Sequence, residues 1–322
     1  MRRCAVLLMG PTGAGKSDIA LRLAETLPLE IVSVDSALVY RGMDIGTAKP
    51  GAAVRARIAH HLIDIRDPAQ SYSAGEFARD ASLAMQEIWR RGRQPLLVGG
   101  TMLYFHALSH GIAQLPPADP AVRADIEREA RASGWAALHR ELQRVDPEAA
   151  ARIHANDPQR IQRALEVQRL TGETITKLQQ KSVPVLAGVE VEEFAVAPPE
   201  RRDLHSRIEA RFDAMMQAGL LAEVRALYER GELNAEHPSM RAVGYRQLWR
   251  HLAGQCSLEE SRKQAIAATR QLAKRQLTWL RRRVRARWLD ATHPDAPESM
   301  QRALAERGFV DASDLTPRRV LC

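Results

Sequence analysis

The 322-residue chain carries only three cysteines, Cys4, Cys256 and Cys322, far apart in sequence and with no C-x-x-C pair. A disulfide framework and a cysteine zinc site are thereby excluded, and a cytosolic setting is expected. No apolar run approaches the ~20 residues that span a bilayer, so no membrane partner is expected. The apolar residues behind Met1-Arg2-Arg3 are too few for a secretory signal and run straight into a glycine-rich loop. Internal repeats and low-complexity tracts are absent. Also missing are an Asn-Lys-x-Asp guanine motif and an acidic residue at the end of the apolar run Leu96-Leu97-Val98-Gly99-Gly100. Without them the wiring of motor ATPases and GTPases is not there. One further absence is local: between Ser261 and Leu289 there is no acidic residue at all.

What is present begins with Gly10-Pro11-Thr12-Gly13-Ala14-Gly15-Lys16-Ser17, a complete G-x-x-x-x-G-K-[ST] loop. The apolar run 5–9 before it reads as a buried strand, and residues 16–27 read as the helix it opens onto, which is the context the motif requires. Glycines turn successive N–H groups inward, the helix N-terminus adds positive potential and Lys16 adds a point charge. Ser17 offers a hydroxyl to Mg²⁺. The loop therefore predicts binding of a nucleotide or another di- or triphosphate.

Strand candidates at 5–9, 31–34 and 95–98 alternate with helix candidates at 16–27 and 74–91. Such alternation predicts an α/β fold, a P-loop NTPase-like parallel sheet flanked by helices, with ligands at the carboxyl ends of the strands. That places the loop, Asp35-Ser36 and Gly99-Gly100-Thr101 around one cleft. Residues 116–185 are polar, Arg/Glu-rich and helical in period, and read as a helical insertion domain between a first core part (1–115) and a second (186–290). Residues 189–197 alternate like a returning strand, the stretch to about 289 reads as helical, and 291–322 reads as a polar, loosely packed tail.

Asp35 ends an apolar strand, where its carboxylate faces the cleft. It suits a general base or acceptor contact, with an N-cap or a place in a metal's coordination sphere as the alternatives. Thr101 is equally a turn residue or a hydroxyl aimed into the cleft. On a helix through the acid-free segment, Ile266, Ala273, Leu277, Leu280 and Val284 form an apolar stripe, with Lys263, Arg270, Lys274, Arg281 and Arg285 along one flank. A one-sided basic stripe predicts contact with a phosphate backbone, whereas a solvated face usually alternates in sign. The net charge of +8 agrees with this without deciding it. Gln159, Arg160 and Arg163 open a helix after Pro158, and Arg241-Ala242-Val243-Gly244-Tyr245-Arg246 combines charge, a flexible glycine and an aromatic ring suited to gripping a single-stranded loop. Each alone is an ordinary capped helix or surface turn. His60-His61 has no third ligand at metal spacing. Trp249, Trp279 and Trp288 read as core aromatics rather than base-stackers.

The phosphate loop, Ser33–Pro50, Leu97–Tyr104, Asn156–Arg160, Arg241–Arg246 and Thr269–Arg281 together resemble the bacterial tRNA dimethylallyltransferases, over residues 5 to about 289. The resemblance implies transfer of a dimethylallyl group from dimethylallyl diphosphate to N6 of adenine 37 in the anticodon loop of tRNAs reading codons that begin with U. It implies that the loop holds an isoprenoid diphosphate with Mg²⁺, that Asp35 takes the amine proton and that Thr101 orients the base. It also implies tRNA contacts at Asp35, Ser36, Ala37, Leu38 and Thr101, at Arg123, and at Gln159, Arg160, Ile161, Gln162 and Arg163. Further contacts follow at Arg241 through Arg246 and along Lys274, Arg275, Gln276, Leu277, Thr278, Trp279, Leu280 and Arg281. The insertion is expected to meet the anticodon stem, the protein to be a monomer, and no C-terminal zinc finger to be present. Arg207 and Arg211 are candidates for gripping the diphosphate on helical spacing alone.

Two other classes fit part of the chain. A P-loop kinase acting on a small hydroxyl or amine explains the first hundred residues but gives the acid-free helix and the insertion no purpose. A non-catalytic RNA-binding protein with a nucleotide-sensing loop explains the helix but not a carboxylate at the acceptor position.

Overall fold

The computed structural model describes residues 3–113 and 115–310. Met1, Arg2, Cys322 and residues 311–322 of the expected tail lie outside them. The described residues divide into two compact units, one of residues up to Phe105 and from Gly188 onward, the other His106–Ala187.

The first unit is built on six parallel strands in the order β3-β2-β4-β1-β5-β6. In chain order its elements begin with β1 (Cys4–Met9), α1 (Lys16–Thr26), β2 (Leu29–Val34), α2 (Ala52–Arg57), β3 (His60–His61), α3 (Ala74–Arg90), β4 (Gln94–Gly99) and α4 (Met102–His110), within which the unit boundary falls. Every residue of β1 and β2 is buried, as expected of central strands covered on both faces. α3 starts at a capping box between Ser73 and Glu76 and buries Phe77, Ala81, Met85 and Ile88 along one face.

The second unit is helical: α5 (Pro120–Ser133), α6 (Trp135–Val145), α7 (Pro147–Arg152), α8 (Pro158–Thr171) and α9 (Ile175–Gln180). Proline at the first turn and an aspartate cap (Asp119, Asp146, Asp157) open α5, α7 and α8. Ile126, Leu138, Leu142, Ile161 and Leu165 form its core.

The first unit then resumes with β5 (Glu190–Ala197), α10 (Arg201–Gln217), α11 (Leu220–Tyr228), α12 (Tyr245–Leu252), α13 (Leu258–Leu280), β6 (Arg287–Asp290) and α14 (Ala296–Glu306). Two expectations differ from the structure: the stretch to about 289 is not helical to its end, and the tail from 291 is not loose over its described part. Residues 287–290 form a strand that extends the sheet beside Phe194–Ala197. Met300, Ala303 and Leu304, spaced three and four apart, are buried against Ala20, Leu23 and Leu27 in the main core. The polar residues that disguised α14 are its outer face. Among the described residues no helix is long and apolar enough to cross a membrane.

Candidate active site and nucleic-acid interface

The phosphate loop turns on Gly13 and Gly15, both at positive φ, 79° and 82°, a backbone region closed to most side chains. Gly15 caps α1, so the N–H groups of the first turn face outward from Lys16 and Ser17. The loop is tied down at its start, where the Gly10 N–H donates to the Gly99 carbonyl at 3.3 Å. Lys16 Nζ donates to the Pro11 carbonyl at 2.7 Å, which holds the ammonium over the loop. Burial, and then the nearby Arg211, lower the Lys16 pKa to about 8, with Asp35 pulling the other way.

Two cavities open at the carboxyl ends of the strands. One, of about 570 Å³, is lined by Asp35, Ser36, Thr101, Phe212, Gly244, Arg275 and Trp279 among others. The other, of about 280 Å³, contains Lys16 and Ser17 and is walled by Leu21, Ile31, Val54, Ile63 and Val98. Thr12, Asp35, Thr47, Gly100, Arg211 and Gln276 line both, so they form the partition.

Asp35 stands on that partition just past β2. Its Oδ1 accepts the Ala37 N–H at 2.8 Å, which fixes the carboxylate in an Asx turn and leaves Oδ2 without a hydrogen bond among the described residues. Thr101 reaches the same place from β4: its Oγ1 accepts the Ser36 N–H at 3.1 Å. The two strand ends can come this close because of Gly99, where a Cβ would sit 1.9 Å from the Val34 carbonyl oxygen. Thr101 thus locks a turn, its hydroxyl facing Ser36, and it is among the residues that line the larger cavity.

Arg207 and Arg211, one helical turn apart on α10, converge on the loop. Arg207 Nη1 is 3.9 Å from where a Cβ would stand on Gly15, and Arg211 is within electrostatic reach of Asp35 and Asp18. Burial lowers the Arg211 pKa, though both carboxylates oppose the shift. Lysine, two arginines and the helix amides make this end of the cleft a receptor for a dense negative charge. Ser17, exposed and beside Lys16, fits Mg²⁺. Among the described residues no cluster of three or more His, Cys, Asp or Glu could hold a metal. The remaining oxygens of a hard cation's shell would therefore come from the diphosphate and water.

The wall carrying Gly46, Thr47 and Gly244-Tyr245 hangs on a residue that sequence reading passes over. Glu223 accepts the N–H groups of Asp44, Ile45 and Gly46 at 2.8, 2.7 and 3.1 Å, and the Tyr245 hydroxyl at 2.5 Å. Nothing in the run Leu221-Ala222-Glu223 announces this, because its four partners lie in two distant segments. Tyr245 is therefore buried in the wall and is not a stacking ring. Arg241 and Arg246 are exposed, Arg241 paired with Glu236 at 2.6 Å.

The acid-free stretch is one helix only as far as Leu280, beyond which Val284 is 96% exposed rather than part of the apolar stripe. Its flank is also less uniformly free than its sequence implies. Arg262 forms a two-point ion pair with Asp213, and Arg270 binds Glu209 at 2.6 Å, both carboxylates coming from α10. Lys274, Arg275 and Arg281 are exposed and make no ion pair among the described residues. Trp279 is 42% exposed and lines the larger cavity, and Trp288 is 46% exposed; of the three tryptophans only Trp249 is a core residue. Within 274–281, Leu280 and Gln276 are buried, Leu277 is half-buried and Thr278 is exposed, its hydroxyl spent on the Lys274 carbonyl.

In the helical unit, Arg123 and Arg163 converge on the fully buried Glu166, at 2.8 Å and 2.7 Å. Burial alone would raise the Glu166 pKa, but hydrogen bonds from Arg123 and Arg163 hold it below its ordinary value. Gln159 and Arg160 are exposed on the first turn of α8, and Gln162 bonds Glu127. Ile161 is wholly buried and packs this unit's core, so its side chain is not a contact residue.

A family model described as IPP transferase matches residues 38–283. A tRNA dimethylallyltransferase of Nitrosococcus oceani is 58% identical over 97% of this chain and 99% of its own. The solved tRNA isopentenylpyrophosphate transferase of Bacillus halodurans is 37% identical, with a TM-score of 0.69 over 98% of this chain and 97% of its own. A eukaryotic dimethylallyltransferase acting on tRNA gives a TM-score of 0.79 at 26% identity, over 95% of this chain and 79% of its own. With the phosphate loop, the strand-end carboxylate and the parallel sheet all in place, this chain belongs to the IPP transferase family.

Proposed function

We propose that this protein is a tRNA dimethylallyltransferase. It transfers a dimethylallyl group from dimethylallyl diphosphate to N6 of adenine 37 in tRNAs reading codons that begin with U, acting as a monomer in the cytoplasm. The observation that carries the reading is Asp35 on the partition between the two cavities, with the phosphate loop on one side and Thr101 and the open Trp279 rim on the other. The diphosphate would occupy the Lys16–Ser17–Arg211 end, and the flipped adenine the larger cavity. Extruding that base from the anticodon stack takes a few kcal/mol.

The exocyclic amine of adenine is a weak nucleophile because its lone pair is delocalised into the ring. As the N6–C1 bond forms and the C1–O bond to diphosphate breaks, the unengaged Oδ2 of Asp35 receives the amine proton. Thr101 orients the base. Lys16, Arg211 and the loop amides meet the negative charge that grows on the leaving diphosphate. Mg²⁺, held by Ser17, supplies further neutralisation of that charge when bound. The exposed side chains of Lys274, Arg275 and Arg281, with Arg241, Arg246, Arg123, Gln159 and Arg160, are the proposed phosphate and sugar contacts.

The test is incubation with Mg²⁺, labelled dimethylallyl diphosphate and unmodified tRNA, with excess ATP in a parallel reaction. Label should enter the tRNA, be indifferent to ATP and disappear in Asp35→Ala. Consumption of ATP without labelled tRNA would replace this reading with a kinase.

A further inference from the structure

Gln276 is a buried polar residue near the end of the basic helix α13, and both ends of its side-chain amide bond to the protein's own backbone. Its Oε1 accepts the N–H of Thr12, in the phosphate loop, at 3.0 Å. Its Nε2 donates to the carbonyl of Gly100, past the end of β4, at 2.8 Å. One amide thus joins three segments far apart in sequence, and it lies on the partition that both cavities share. The fit leaves no slack, since a Cβ on Gly100 would fall 2.4 Å from Nε2. Next to Gln276, Arg275 faces the larger cavity, and Trp279 follows one turn on.

From this arrangement we infer that Gln276 makes the donor and the tRNA bind with positive coupling. The inference rests on the function proposed above. RNA that engages Arg275 and Trp279 sets the position of this turn of α13. Gln276 carries that position to the Thr12 amide, and so to the curvature of the loop that receives the diphosphate. The same link runs backwards: a diphosphate that orders the loop fixes the helix face that meets RNA. Gln276 is a positioning residue, because it touches neither the reacting nitrogen nor the allylic carbon.

The experiment measures affinity for the non-reactive bridging-sulfur analogue of dimethylallyl diphosphate with and without saturating unmodified tRNA. In the wild type, tRNA should tighten analogue binding at least about fivefold, the low end of typical coupling, and the analogue should tighten tRNA binding by the same factor. Gln276→Met removes both hydrogen bonds at similar volume and should bring the factor to about one. Gln276→Glu, which keeps an acceptor for Thr12 but loses the donor to Gly100, should retain part of it and carries the test if the Met variant does not fold. A purely structural glutamine would weaken each ligand alone and leave the ratio intact; that result, or no coupling in the wild type, overturns the inference. Labelled transfer by the wild type separates the two readings. Transfer with an unchanged ratio refutes the coupling alone, and no transfer refutes the function.

Discussion

Lys16 should make donor binding depend on pH in a range where simple lysines do not titrate. Burial and Arg211 lower its pKa from 10.5 to about 8. A diphosphate binds the ammonium and not the neutral amine, so the bound lysine keeps its proton to at least its ordinary value. Between these limits each pH unit above 8 removes about tenfold from the population ready to bind. Dissociation constants for the non-reactive analogue should therefore rise roughly tenfold from about pH 7 to about pH 9, or ~1.4 kcal/mol. Titration calorimetry at constant ionic strength reads this directly. Lys16→Arg, whose guanidinium stays charged throughout, should give a flat profile. The linkage for the ligand-free fold has the opposite sense. The unfolded chain holds this proton longer than the native one, so stability should gain from this group as pH rises from about 8 toward 10.5. A flat wild-type profile, or a slope that survives in Lys16→Arg, would refute the reasoning.

Asp35→Asn keeps the shape of the Asx turn but removes the base; turnover should fall about 10²–10⁴-fold in single-turnover assays while analogue and tRNA affinities stay near wild type. Glu223→Ala strands three backbone N–H groups and the Tyr245 hydroxyl. At about 1–3 kcal/mol for a buried group left unsatisfied, it should lower the melting temperature and raise KM for tRNA more than KM for the donor. Gly10→Ala places a Cβ 2.4 Å from the Val196 carbonyl on β5, so analogue binding should be lost, as calorimetry would show. Leu304→Ala should destabilise by about 2–5 kcal/mol in urea unfolding, since Leu304 is fully buried; a change within error would restore the reading of this segment as a loose tail.

What was legible in the sequence was whatever one segment specifies by itself. The phosphate loop is such a case: glycine spacing, lysine and serine act within eight residues, and the strand and helix on either side are set by local hydrophobic patterning. Asp35 could be placed in the cleft because a carboxylate ending an apolar strand of a parallel sheet faces the ligand side. Glu223 and Gln276 were not legible as structural keystones. Each acts on atoms brought near only by the tertiary fold, mostly backbone N–H and carbonyl groups that carry no residue-type signal. α14 was missed for a different reason. Its buried set of Ala296, Pro297, Met300, Ala303 and Leu304 is brief and mostly small, so the charged outer face dominates its composition.

The basic helix shows why a charge count on one element does not define an interface. Seven basic residues, Arg262 to Arg282, follow one another from the helix into its exit without an acid, and sequence alone gives them equal standing. The fold sorts them. From the start to the middle of α13 the neighbouring α10 presents Asp213 and Glu209, and these neutralise Arg262 and Arg270. In the last turns Lys274, Arg275 and Arg281 meet no carboxylate among the described residues, and there Trp279 opens onto the cavity that holds Asp35. Free positive charge is thus concentrated at the end of the helix nearest the chemistry, while the opposite end is anchored to its neighbour. Charge reversal at the two ends should separate these roles. Arg275→Glu should raise KM for tRNA and flatten its salt dependence, because a phosphate contact is lost. Arg262→Glu, set against Asp213, should lower stability and leave the salt slope of tRNA binding unchanged. Equal effects of the two substitutions on that slope would mean that the helix binds RNA along its whole length.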